Sequence, residues 1–262
     1  AWFRSKLDIT QTCREDGSAI MTEAQVEQEM SDGMSFEGAQ QEFYCSFAAG
    51  VIGAYFAREV EKAREDGRIG SVPWDKRLAV HCYMDLGIDD ATALWLVQRH
   101  GYMRKWIHYQ EWRDQPLLDV FLEMSKWPYR LATVNLPHDG RARDKGTGRR
   151  IVDYAEDVFG EGTVVTTHKA YNVQDSIEAG RYLIGQSWFD EAGCKRGLES
   201  LMNYSKVWDD KRRAYQLNPR HDWASHGADA WRLAGMDDAD EPVIDMADYM
   251  RRADVPRVIR SM

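Results

Sequence analysis

What this sequence lacks narrows its chemistry first. Cysteine is scarce: Cys13, Cys45, Cys82 and Cys194 lie far apart and form no C-x-x-C pair. That spacing excludes a zinc finger and fits a reduced intracellular setting. Cys45 and Cys82 sit in apolar runs, where a free thiol reads as a small buried hydrophobe. No apolar stretch approaches the roughly 20 residues that a bilayer-spanning helix needs, so no membrane is expected as a partner. The start, Ala1-Trp2-Phe3-Arg4-Ser5-Lys6, has no signal-peptide core behind it and no initiator Met. The chain is therefore expected to be an excised piece of a longer protein. There is no G-x-x-x-x-G-K-[ST] phosphate loop, no G-x-S-x-G elbow and no H-E-x-x-H zinc site. Lys145-Gly146-Thr147-Gly148 is only a flexible basic loop. Internal repeats and low-complexity segments are missing too.

Positive charge is also in deficit. The formal net charge is −9, which argues against indiscriminate avidity for nucleic acid and leaves the question to local patches. The densest patch is Arg141, Arg143, Lys145, Arg149 and Arg150; a smaller one is Lys211-Arg212-Arg213.

What is present suits a large core. The 262 residues are 44% hydrophobic and include ten tryptophans, enough for one large domain or one domain with extensions. Residues 1–70 read as mostly helical. Thr22 opens a capping-box pattern with Gln25, and Phe56 to Asp66 is strongly helix-forming, with Gly67 capping it. From Trp74 the pattern changes to strands: Leu78–Asp85, Ala91–Val97 and Tyr102–Tyr109, joined by short turns as an antiparallel meander. An amphipathic helix spans Pro116–Lys126. Tyr129–Leu136 is the next strand, and a helix from about Gly148 to Phe159 precedes a short strand, Thr163–Thr166. Helices follow at Val173–Leu183 and Asp190–Tyr204. A hairpin between Lys206 and Leu217 turns at Asp209-Asp210-Lys211-Arg212, and a last helix ends at Gly235. The acidic tail from Asp237 is expected to be mobile. Three antiparallel strands followed by alternating helices and strands give an α/β mixed sheet covered by helices.

The stretch that gathers chemistry is His221-Asp222-Trp223-Ala224-Ser225-His226-Gly227-Ala228-Asp229-Ala230-Trp231-Arg232. As a helix it puts Asp222, His226 and Asp229 on one face. Two carboxylates and an imidazole there serve a divalent cation or a catalytic water better than a core. Asp229 is hardest to dismiss, because an aspartate in mid-helix between small and aromatic residues is unfavourable. Asp222 reads equally as a helix cap, and His226 alone reads as a satisfied buried histidine. Asp85 ends the first strand of the meander and Asp139 follows the fourth strand, within the good turn sequence Pro137-His138-Asp139-Gly140. Ligand sites in open α/β sheets cluster at such strand ends. Two-metal cleavage of phosphodiesters needs sequence-distant carboxylates, because hard cations take oxygen ligands from several directions.

Several segments together resemble the C-terminal nuclease half of the large terminase subunit of tailed double-stranded DNA bacteriophages. These are Gln41-Glu42-Phe43-Tyr44-Cys45, Asp85-Leu86-Gly87-Ile88-Asp89-Asp90-Ala91-Thr92, Leu136-Pro137-His138-Asp139-Gly140, Phe189-Asp190 with Cys194 and Gly197-Leu198, and the stretch from His221 to Arg232. They fall in the family's order over roughly residues 40–235.

The resemblance implies an RNase H-like fold, a mixed sheet flanked by helices. It implies a nuclease that cuts concatemeric viral DNA using two divalent cations, Mg²⁺ or Mn²⁺. Asp85, Asp139 and Asp229 would be the catalytic metal ligands, with Asp222 competing with Asp229 for the third place. His226 would be auxiliary, and Asp89 or Asp90 would approach the site. Arg141, Arg143, Lys145, Lys211, Arg212 and Arg213 would contact double-stranded DNA. Residues 1–70 would connect to an ATPase motor missing from this chain, 71–236 would be the nuclease domain and 237–262 the tail. The other implied partners are the portal and the small terminase subunit, in the cytoplasm of an infected bacterium. Two alternatives remain: another RNase H-like nuclease of resolvase type, or a non-catalytic docking module for the portal or small subunit.

Overall fold

A computed structural model of the chain describes residues 8–34, 39, 42–44, 53–87, 91–143, 147–167, 172–209 and 214–239. The meander forms as the strand runs and short turns predict. Strand β2 (Val80–Asp85), β3 (Ala91–His100) and β4 (Met103–Arg113) are antiparallel neighbours, and Gly101 takes the positive φ (60°) that the β3–β4 turn requires. Strand β5 (Leu131–Leu136) returns parallel to β2, and β6 (Val164–Thr166) lies parallel to β5. Two short strands extend the other edge, β1 (Ile69–Gly70) and β7 (Ser187–Asp190), both running parallel. The order is β1-β7-β4-β3-β2-β5-β6.

Strand β3 is buried at eight consecutive positions, the signature of a central strand covered on both faces. Helices α3 (Leu117–Met124) and α4 (Ile151–Phe159) cover one face, over Cys82, Met84, Leu94, Leu96 and Val134. The other face carries α2 (Ala57–Glu65), α5 (Val173–Gly185), α6 (Glu191–Asn203) and α7 (Ser225–Ala239), packed on Tyr83, Ala93, Trp95, Trp106 and Tyr109. Residues before 71 share this core, because Tyr55, Phe56, Val60 and Ala63 are buried in it. Further upstream, α1 (Glu23–Ser31) starts from the expected capping box between Thr22 and Gln25. Strands β8 (Lys206–Asp209) and β9 (Ala214–Pro219) make a separate two-stranded hairpin. Cys82 and Cys194 are buried and Cys13 is exposed, while Cys45 lies outside the described residues. Among the described residues, no helix is long and apolar enough to cross a membrane.

Three expectations about the last helix need correction. It begins at Ser225 rather than Asp222, because the Asp222 carboxylate accepts the Ala224 N–H (2.9 Å) and its carbonyl accepts the Ser225 N–H (3.0 Å), closing a turn ahead of the helix. Asp222, His226 and Asp229 therefore do not share one helical face. It also continues past Gly235 to Ala239. A Cβ at Gly235 would lie 2.7 Å from the backbone nitrogen of Gly180, so this glycine serves the close approach of α7 to α5 rather than a helix stop. Finally, Asp237 lies within α7 rather than beyond its end. It accepts hydrogen bonds from Tyr83 and from Arg99 (2.9 Å), which latch α7 to the sheet.

Candidate active site

The carboxyl ends of β2 and β5 are adjacent because these strands pair in parallel. Asp85 is the last residue of β2, and its partner across the ladder is Ala93, whose small side chain leaves room above the sheet. Asp139 sits in a 3₁₀ turn, His138–Arg141, immediately beyond β5. The turn packs tightly: a Cβ on the buried Gly140 would meet Leu136 Cβ and Thr166 Cγ2 at 3.1 Å. Helix α7 then crosses the face that Asp85 occupies. It is fixed there by two indoles, Trp95 donating to the Gly227 carbonyl (2.9 Å) and Trp231 to the Gly180 carbonyl (3.0 Å). The packing of Trp231 on Trp106 and Trp95, with ring centroids 4.5 and 5.3 Å apart, adds a large apolar contact.

The result joins three carboxylates from three elements. His226, only 4% exposed, places Nδ1 3.7 Å from Asp85 Oδ2. Burial pushes the Asp85 carboxyl above its ordinary value, His226 pulls it back, and the Asp139 charge raises it further. Asp229 is pushed up to about 6, first by burial and against the pull of Arg232, with the Asp85 charge adding to the rise. Asp85 thus lies within electrostatic reach of Asp139 on one side and of Asp229 on the other. One oxygen of Asp139, Oδ1, is buried without a hydrogen-bond partner. A buried carboxylate oxygen left in that condition is costly and suits a cation that donates no hydrogen.

The donor set, all hard carboxylate oxygen with one imidazole, fits a divalent cation such as Mg²⁺ or Mn²⁺. Yet among the described residues no three His, Cys, Asp or Glu side chains are arranged to hold a metal ion together. Asp229 is instead engaged by Arg232 Nη1 (2.5 Å) and by the Tyr204 hydroxyl (3.3 Å).

Asp222 is occupied in its turn, as described above. Arg141, at the end of the Asp139 turn, and Arg143, just after it, are exposed and donate to the carbonyls of Thr166 in β6 and of Gly148. Arg149 and Arg150 pair with Asp157 and Asp153. Asp89, Asp90, Lys145, Asp210, Lys211, Arg212 and Arg213 lie outside the described residues. Three participants escaped the sequence reading. Arg232 is three residues from Asp229, an ion-pair spacing that was there to be used; Tyr204, at the end of α6, carries no local signal. Glu111 is a third, in register with Asp85 across Ala93 and accepting hydrogen bonds from Tyr109 (2.5 Å) and Arg196 (3.4 Å).

Neither a protein-family model nor a curated protein matches the sequence. Solved structures do. The large terminase of a thermophilic bacteriophage, in complex with ATP-gamma-S, is similar at a TM-score of 0.50 and 12% identity, over 84% of this chain and 53% of that one. A second crystal form of the same phage's terminase gives 0.50 at 13% identity, over 84% and 52%. The fold is RNase H-like. This chain thus spans about half the length of the thermophilic phage's terminase. The nuclease domain of the bacteriophage SPP1 large terminase, with bound Mn, is matched at 0.48 and 15% identity, over 65% and 95%.

Proposed function

We propose that this chain is the nuclease part of a viral large terminase, a divalent-metal-dependent endodeoxyribonuclease that cuts concatemeric double-stranded DNA. The observation that carries the reading is that Asp85 and Asp139 stand at the carboxyl ends of the adjacent strands β2 and β5, beside the face that α7 crosses with Asp229, and that Asp139 Oδ1 is buried and unpartnered. An RNase H-like fold supports it. Asp85, Asp139 and Asp229 would hold two Mg²⁺ or Mn²⁺ ions. When bound, such ions polarise the phosphoryl oxygen, lower the pKa of water and neutralise the leaving oxygen. The chain's own residues prepare that chemistry. His226, packed against Asp85, fixes the orientation of the first carboxylate. The buried walls of α7 and β3 keep the carboxylate cluster in a poorly solvated setting, where charge interactions are strong.

In this reading DNA phosphates run along Arg141 and Arg143, with Lys145 and Lys211 to Arg213 contributing from outside the described residues. Asp222 serves the helix start, and Asp229 is the third ligand. An ATPase motor would be a further domain of the same protein, with the portal and small terminase subunit as its other partners in the cytoplasm of an infected bacterium.

Nicking of supercoiled plasmid in Mg²⁺ or Mn²⁺ tests the reading. Wild type should relax and linearise the DNA, and Asp85→Ala or Asp139→Ala should abolish cleavage with the near-UV circular dichroism unchanged. Cleavage retained by both variants would contradict the assignment.

A further inference from the structure

The Arg232 guanidinium is built into the fold more firmly than an ordinary surface arginine. Its side chain is 15% exposed. Nε donates to Ser176 Oγ of α5 (2.9 Å), and Nη1 donates both to the Tyr204 hydroxyl after α6 (2.7 Å) and to Asp229 on α7 (2.5 Å). The partners cannot readily move away. Ser176 and Tyr204 are each 1% exposed, and the Tyr204 ring stacks on Phe56 at 5.8 Å. The Tyr204 hydroxyl also donates to the same Asp229 oxygen. Asp229 itself is 35% exposed, so it is the free end of the clamp. The positive charge also counteracts the rise in the Asp85 carboxyl, so Arg232 acts on two of the three carboxylates assigned above to the cations.

We propose that Arg232, fixed by Ser176 and Tyr204, is an internal counter-cation that holds Asp229 out of the metal-ligand set, so that a divalent ion must displace a guanidinium from the third carboxylate. This rests on the reading of Asp85, Asp139 and Asp229 as cation ligands. It explains why the described residues contain no ready three-ligand arrangement although their donors suit a hard cation. It makes binding stepwise: Asp85 and Asp139 meet the ion first, and Asp229 follows by leaving Arg232 and Tyr204. Arg232 is thus a positioning residue that sets cation affinity. If it were only a strut between α5, α6 and α7, its removal would lower stability and leave cation affinity where it was.

Mn²⁺ binding to the full chain, followed by loss of the free-ion electron paramagnetic resonance signal at pH 8, separates these cases. Arg232→Gln keeps hydrogen bonding but removes the charge, and should tighten Mn²⁺ binding about ten-fold, the scale for losing one positive charge a few Å from a bound cation. Tyr204→Phe removes only a hydroxyl from a packed ring and should tighten binding about two-fold to five-fold; it decides the matter if Arg232→Gln does not fold. Arg232→Lys should return the affinity toward wild type. Unchanged or weaker Mn²⁺ binding in folded Arg232→Gln and Tyr204→Phe, with wild-type binding abolished by Asp85→Asn, would overturn the clamp and leave the metal site standing. No Mn²⁺ binding by wild type or by either variant at millimolar ion would overturn the metal reading and the clamp with it.

Discussion

His81 sits near the start of β2, away from Asp85 at its end, and reports on the fold rather than the chemistry. Its Nδ1 lies 3.0 Å from Thr133 Oγ1. Burial, with help from the Arg99 charge, lowers it from the ordinary histidine value to about 4, although Asp237 pulls the other way. The unfolded chain then binds a proton that the folded chain refuses, so stability is full above about pH 6.5 and falls as pH drops toward 4. His81→Gln should flatten that limb, read as the urea midpoint between pH 7 and pH 5. An unaltered slope would show that other groups govern it. At this scale the sequence exposed what chemistry makes unusual. Asp229 stood out because a carboxylate is unfavourable in mid-helix, and Asp85 because ligand sites in open α/β sheets cluster at strand ends. Arg232 and Tyr204 did not, because an arginine on a helix and a tyrosine at a helix end are ordinary until their neighbours are known.

Helix α7 shows the same limit for an element. Its position was legible, but not its ends. Gly235 read as a stop because glycine commonly follows a helix, whereas here its bare Cα permits contact with α5, and Gly180 in turn faces Phe56 and Trp231. Gly235→Ala therefore weighs a helix-propensity gain of up to about 1 kcal/mol against a clash with backbone that cannot yield, typically about 1–3 kcal/mol. The clash should win, lowering the urea midpoint and reducing plasmid nicking by tilting His226 and Asp229. A variant as stable as wild type would show that the α5–α7 spacing is adjustable. The meander was readable because β2, β3 and β4 are long enough to show a pattern. Strands β1 and β7, of two and four residues, are not; Phe189-Asp190 runs straight into α6, and the helical signal masks the strand.

For the whole molecule, the sheet converts remote sequence positions into one charged cluster. Parallel pairing of β5 beside β2 brings Asp139 to Asp85, and α7 carries Asp229 across the face that Asp85 occupies. Concentrating negative charge in a half-buried place destabilises the fold, and a bound cation should repay it. A divalent ion at ten times its dissociation constant should add about 1.4 kcal/mol to unfolding stability, seen as a rise in Tm with Mn²⁺ that Asp85→Asn removes. Equal shifts in both proteins would point to binding elsewhere. The sequence carried the family resemblance in widely separated segments, yet the arrangement of the carboxylates depended on strand order, which no local pattern records.

If Asp85, Asp139 and Asp229 form a metal-dependent nuclease centre, they should bind Mn²⁺ between them. Anomalous diffraction from crystals soaked in Mn²⁺ tests it most directly. Anomalous peaks bounded by Asp85, Asp139 and Asp229, with Asp229 turned from Arg232 toward the ion, are expected. A well-ordered site without a peak, or peaks confined to surface carboxylates elsewhere, would contradict it.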